Sequence, residues 1–169
     1  MSDVLSRELS APGFDGGDIP AEDVRLVLRA ALLAIQEGNS VQMYVTDEAA
    51  LLGRLKDARS GGAECLPGAS LAVALTADRL YDGAWMENSC RVAWAMCRQA
   101  AELGLAYKLV QIRGYQLSDG TMSDDVVRGV LGIPEEQTVC AVVALGYSSV
   151  ENNPAADDEL DWERIKIVE

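Results

Sequence analysis

The sequence predicts an α+β domain, and three observations carry that prediction. A chain of 169 residues, 49% of them hydrophobic, is long enough to bury a substantial core without disulfide or metal staples. Its apolar pattern switches between helical spacing and strand-length runs, in the order helix, strand, helix, strand, long helix, strand, short helix, strand. Neither G-x-G-x-x-G nor G-x-x-x-x-G-K-S/T occurs, and strict βαβ spacing is absent. Rossmann and P-loop architectures are therefore disfavoured.

Taken in order, residues 2–9 have the composition of a short helix, and a turn-rich stretch from Ala11 to Gly17 follows. Ile19-Pro20-Ala21-Glu22-Asp23 opens a helix, with proline tolerated near the first turn and acids favouring its positive end. Val24, Leu28, Ala31, Leu32 and Ile35 lay one apolar stripe along it, and it stops near Gly38. Val41 to Val45 reads as a strand, and Asp47 is placed to cap a helix running to about Arg59. Ser70 to Leu75 is a continuous apolar run suited to a central strand. The longest helix is predicted over 80–103. Its segment Val92–Cys97 is apolar all round, which predicts packing on both sides, with Trp85 and Trp94 in the core. Gly104 ends it, Tyr107 to Ile112 forms a strand, Ser123 to Val130 a short helix, and Thr138 to Leu145 a fourth strand. After a polar connector from Ser148 to Glu159, Trp162, Ile165, Ile167 and Val168 form a strand-like tail. A long polar arm ending in apolar residues suits docking at a distance, on a partner subunit. We therefore expect a domain over 1–147, with 148–169 as its extension.

Composition removes several function classes. Net charge is −13, from 27 acids against 14 bases, a field that repels nucleic acid and anionic lipid. No run of about 18 apolar residues is present, and Met1 to Leu9 lacks the apolar core of a secretory signal, so the expected compartment is the cytoplasm. The chain contains no histidine, which removes every Ser-His-Asp or Cys-His device. Cys65, Cys90, Cys97 and Cys140 make no C-x-x-C pair; no metal site is expected, and all four read as buried thiols. Asp78, Glu87 and Glu102 show no spacing suited to acid/base work. No catalytic side chain is expected, so the chemistry points to a cofactor.

The run of motifs resembles the nitroreductase family of flavin-dependent oxidoreductases. It comprises Ile19–Asp23 leading into Leu28-Arg29-Ala30-Ala31, then Tyr44-Val45-Thr46-Asp47, then the helix end Ala101-Glu102-Leu103-Gly104-Leu105. It continues with Val110–Gly114, Leu131-Gly132-Ile133-Pro134-Glu135 and Val142–Tyr147. The resemblance implies a central, mostly antiparallel sheet flanked by helices, and a homodimer whose subunits exchange a C-terminal strand. It also implies FMN at the interface and hydride transfer from NADH or NADPH through flavin to a nitroaromatic, quinone or similar acceptor. In such proteins the isoalloxazine carries the chemistry and the chain supplies position.

Three departures all concern the cofactor. The family's R-x-S-x-R-x-F element grips the flavin phosphate; anchored on Phe14 it reads Glu8-Leu9-Ser10-Ala11-Pro12-Gly13-Phe14, with both arginines gone. Losing two charge-assisted hydrogen bonds costs about 3–6 kcal/mol, roughly two to four decades of affinity, unless Arg7 substitutes through a register shift. The family's Asn-Ser-Gln-Pro-Trp is shortened to Asn39-Ser40 running into Val41-Gln42. After Tyr147, no base precedes Arg164.

The implied cofactor contacts are Ser10 on the phosphate side, Asn39 and Ser40 at the ring, and Gly104 with Leu105 lining the pocket. Asn39 serves equally as a helix-terminal turn residue, and Gly104 as a helix cap. Lys108, Arg113 and Arg128 suit either a phosphate or surface ion pairs. Two functions from different classes follow. One is an FMN-dependent NAD(P)H oxidoreductase; the other is a non-catalytic homodimer of the same fold that has lost FMN and binds a small molecule or a protein.

Overall fold

The computed structural model describes residues 11–81, 83–150 and 159–168. Helix α1 (Ala21–Ala34) leads to β1 (Gln42–Thr46), α2 (Ala49–Leu55), β2 (Leu71–Ala77) and α3 (Trp85–Glu102). Then come β3 (Ala106–Gln111), α4 (Ser123–Leu131) and β4 (Thr138–Gly146). The four strands form one sheet in the order β1-β2-β4-β3, antiparallel throughout. The predicted α+β order and the flanked antiparallel sheet are both found.

Every residue of β2 is buried, as its unbroken apolar run requires of a strand covered on both faces. Its alternate residues separate two cores. Leu71, Val73 and Leu75 join Val27 and Ala31 of α1 and Val92, Met96 and Ala100 of α3 on one face. Ala72 and Ala74 join Leu52 and Leu55 of α2, Val127 of α4 and Ile133 on the other. The result is helix, sheet, helix in three layers. Phe14 packs on the second face, close against the backbone of Gly68 and Gly146.

The register of β4 breaks once. Leu75 pairs with Ala141 and Thr76 with Val139, so Cys140 is an extra residue without a partner on β2. This β-bulge has no signature in the sequence and shapes the groove described below.

Several expectations are corrected. Helix α3 buries one face only: Ser89, Val92, Ala93, Met96, Cys97 and Ala100 point inward, while Trp94 is 51% exposed. The apolar run misleads because its outward positions hold alanine and tryptophan rather than charge. Trp85 is half-buried against the first core. Only Cys97 of the four cysteines is buried; Cys65 and Cys140 are intermediate and Cys90 is exposed. Helix α2 is capped at Glu48, not Asp47, because the Thr46 hydroxyl accepts from the Glu48 N–H and turns the chain one residue later. Apart from these corrections, residues 165–168 follow a 3-10 turn at Trp162–Arg164 and pair with no strand among the described residues. The predicted helix at 2–9 lies outside the described residues.

Candidate functional site

The end of the sheet where β2 and β3 finish and β4 begins carries the polar groups that the core does not use. Its geometry starts from Asn39 and Ser40, in the turn between α1 and β1. The Ser40 hydroxyl accepts from the Asp78 N–H at 3.0 Å and donates to the Asp78 carbonyl at 3.2 Å, stapling the start of β1 to the end of β2. Asp78 in turn accepts through Oδ1 from the N–H groups of Leu80 (2.9 Å) and Tyr81 (3.2 Å), an Asx-type turn. That turn sets Arg79 and Leu80 on the rim of a cavity of about 460 Å³, opposite Trp85, Arg113 and Asp124.

Asn39 accepts from the Val41 N–H through Oδ1 at 3.0 Å, which fixes the orientation of its amide. Its Nδ2 is buried and has no hydrogen-bond partner. An unmatched buried donor costs about 1–3 kcal/mol, so this nitrogen is a donor available to an acceptor from outside the chain.

A second cavity, of about 490 Å³, adjoins the first across Arg113 and runs between α3 and the β3–β4 surface. Ala93, Trp94, Cys97, Tyr107 and Leu109 give it apolar walls, and Gln111 and Arg113 close one end. The Arg113 guanidinium lies 5.1 Å from the centre of the Trp85 ring, a cation–π distance. Among the described residues no ion pair engages Arg113 or Arg79. Arg128 behaves differently, pairing with Asp124 (3.6 Å) and with Asp125. The surface ion pair expected for the three bases thus holds for Arg128 and not for Arg113. An apolar slot that ends at a guanidinium without an ion-pair partner among the described residues is chemically suited to an apolar or conjugated molecule that carries negative charge.

Asp124 accepts from the Val139 N–H at 2.7 Å and ties α4 to the start of β4. Burial is the main influence on its carboxyl and raises its pKa above the ordinary 3.8, against the lowering effects of the Val139 N–H and the Arg128 charge.

The sequence-predicted contacts are not all brought together. Asn39 and Ser40 share the polar end, with Ser40's hydroxyl engaged by Asp78. Gly104 and Leu105 sit at the opposite end, beside Gly146 where β4 finishes. A seven-residue strand rising about 3.3 Å per residue separates the two ends by roughly 20 Å. There the Gly104 N–H bonds to the Ala101 carbonyl (3.0 Å) and the Leu105 N–H to that of Ala100 (2.9 Å), the Schellman pattern that stops a helix. Leu105 is core. Ser10 lies outside the described residues. Arg79 and Gln111 carry no site signal in the sequence, while Trp85 reads there as core and Asp78 as unsuited to acid/base work; the one signal available was Asp78 at the end of an apolar strand, the usual place for a turn-capping carboxylate.

Comparison with known proteins identifies the fold and the family. No family model matches the chain. A protein of Archaeoglobus fulgidus provisionally named an NADH dehydrogenase/NAD(P)H nitroreductase is 30% identical over 160 residues, spanning 90% of this chain and 88% of that one. Among solved structures, an FMN-dependent nitroreductase from Clostridium difficile R20291 matches with a TM-score of 0.87 at 26% identity, covering 97% of this chain and 98% of its own. A protein from Clostridium acetobutylicum, provisionally named an NADH oxidase, matches with a TM-score of 0.81 at 21% identity, covering 99% of each chain. The fold is that of the nitroreductase-like oxidoreductases. The chain belongs to the nitroreductase family as a divergent member.

Proposed function

We propose that the protein is an FMN-dependent NAD(P)H oxidoreductase that works as a homodimer in the cytoplasm. Hydride would pass from the nicotinamide through flavin to a nitroaromatic, quinone or similar acceptor. The observation that carries this reading is the orphaned Nδ2 of Asn39, a donor of the kind that the carbonyl edge of a flavin pyrimidine ring accepts. The names of the relatives support the same reaction class.

When bound, the flavin supplies two-electron chemistry, and the chain's part is binding, orientation and exclusion of water. Asn39 directs its amide at the ring edge, while Ser40 holds the Asn39 turn in place through Asp78. The apolar slot between α3 and β3 excludes water from a conjugated ring. Arg113 and Arg79 offer positive charge to a phosphate, of the flavin or of the nicotinamide nucleotide, and so stand in for the missing terminal arginines. Ser10 is proposed on the phosphate side. Gly104 and Leu105 are assigned to the helix stop. Residues 1–147 would form the domain, and 148–169 an extension that packs on the partner subunit and lends it a strand.

The test is direct. Purified protein should show an absorbance band near 450 nm (roughly, the flavin band) or acquire one when FMN is added, and that band should bleach with NADH or NADPH. Colourless protein that takes up no added FMN overturns the enzyme reading in favour of the non-catalytic homodimer.

A further inference from the structure

The bulge in β4 has a chemical consequence at the cavity wall. In a regular strand consecutive side chains point to opposite faces, yet Cys140 and Ala141 both line the cavity between α3 and the sheet. The unpaired position of Cys140 permits this, and the N–H groups of Ile112 and Arg113 fix it by both bonding to the Cys140 carbonyl at 3.1 Å. Facing it, α3 presents Ser89 and Cys90. The Ser89 hydroxyl is anchored to the Trp85 carbonyl at 2.8 Å, and Cys140 shares the cavity wall with Ser89 and Cys90. Cys90 is exposed and Cys140 half-buried. Cys97 lines the same cavity, but it sits seven residues further along the helix, about 10 Å from Cys90 at 1.5 Å per residue.

We propose that Cys90 and Cys140 are a redox pair that closes to an intramolecular disulfide by exchange with a small disulfide of the glutathione class. In the first step the Cys90 thiolate attacks one sulfur of the small disulfide; a new S–S bond forms, the old one breaks, and one small thiolate leaves and takes up the Cys90 proton. In the second step the Cys140 thiol gives up its proton and attacks the Cys90 sulfur, and the second small thiol leaves with that proton. Two protein thiols are oxidised, and one small disulfide is reduced to two thiols.

The order of the steps follows from the surroundings. Burial, with a further push from Cys90, raises the Cys140 thiol to about 11, so at neutral pH it is protonated and unreactive. Cys90 is the accessible entry point. Closure therefore waits on Cys140 losing its proton and accelerates about tenfold per pH unit until the medium approaches that value. Once formed, the bond ties α3 to the bulge, and attack at the exposed Cys90 sulfur must expel a poor leaving group, which slows reduction. Both thiols line the cavity proposed above to hold a conjugated ring, so closure is expected in protein free of flavin, and the thiol map is read on that protein.

The experiment uses the full chain, reduced and desalted, then treated with glutathione disulfide at pH 7 and pH 9 and read by thiol count and peptide mass mapping. The expected result is loss of two thiols with Cys90 joined to Cys140, closing about 100-fold faster at pH 9. C140A should stop with one glutathione on Cys90, and C90S should leave Cys140 unmodified. A persistent glutathione adduct on wild-type Cys90 at pH 9 overturns the proposal. So does a bond to Cys97 or Cys65, a bond between chains, or no loss of thiols. Because the deciding map is made on the wild-type chain, the outcome does not depend on how the variants fold.

Discussion

At Asn39 the two ends of one amide do different work, and a substitution can separate them. Its oxygen holds the Val41 N–H while its nitrogen is left without an acceptor. Asn39→Asp keeps the oxygen and removes the donor, so the turn should survive while an acceptor-rich ring edge meets a carboxylate. Thermal stability should change little, and FMN affinity should fall about tenfold or more, the scale of one hydrogen bond of about 1.5 kcal/mol turned unfavourable. Titration of flavin fluorescence into the apoprotein measures it; an unchanged Kd would return Asn39 to the role of a turn residue. Asp124 gives a second residue-scale prediction, in pH. Its folded pKa is raised by burial, so between the unfolded value near 3.8 and the higher folded value the native state binds more proton than the unfolded one. Stability contributed by this group is present below the unfolded pKa and is lost as pH rises through the folded one. Asp124→Asn keeps an acceptor for the Val139 N–H and does not titrate. The urea midpoint of the wild type minus that of D124N should therefore fall as pH rises through the acid range, then level off. A difference that grows with pH would contradict the burial argument.

Among the elements, the helix stops were the most legible from sequence, and the site was the least. Gly104 was readable as a helix end because a left-handed residue there needs no side chain, and its φ of +73° confirms that use. A Cβ at Gly104 would meet nothing within 4 Å, so Gly104→Ala should cost about 1 kcal/mol through backbone strain alone, lowering the thermal midpoint by a few degrees. Gly146 is the contrasting case. A Cβ there would come within 2.8 Å of the Phe14 ring, so the loss from Gly146→Ala should be partly recovered when Phe14 is also cut to leucine. A double-mutant cycle read by thermal unfolding checks this coupling; strict additivity would refute it. The strands were legible for the same kind of local reason, since Leu71–Leu75 is apolar at every step, as suits a doubly covered strand. The bulge at Cys140 was not. It arises from the pairing of Leu75 and Thr76 with β4, a register that no local pattern encodes. The Ser40–Asp78 staple, 38 residues apart in sequence, and the meeting of Trp85 with Arg113 were hidden likewise. Each exists only once the sheet has brought distant segments to one end.

For the whole molecule the question is what covers the apolar surface left on a chain this acidic. Leu33 on α1 and Trp94 on α3 are 69% and 51% exposed, and Ile165, Ile167 and Val168 in the tail are 61%, 87% and 91% exposed. Single exposed apolar residues are ordinary, but three within four positions after a polar arm suit the partner proposed above. Burying one such side chain is worth about 1.5–3 kcal/mol, so covering Ile165, Ile167 and Val168 on a second subunit offers several kcal/mol, enough to offset much of the cost of ordering the arm. The charge of −13 works against association, and salt screens that repulsion within about 10 Å at 0.1 M. The proposed dimer should therefore tighten as salt is added, and its thermal midpoint should rise with protein concentration. Deleting residues 155–169 should shift the population towards monomer in sedimentation equilibrium and remove the concentration dependence of unfolding. If the truncated chain remains a dimer with an unchanged midpoint, the tail is not exchanged, and the exposed faces of α1 and α3 must hold the subunits by themselves.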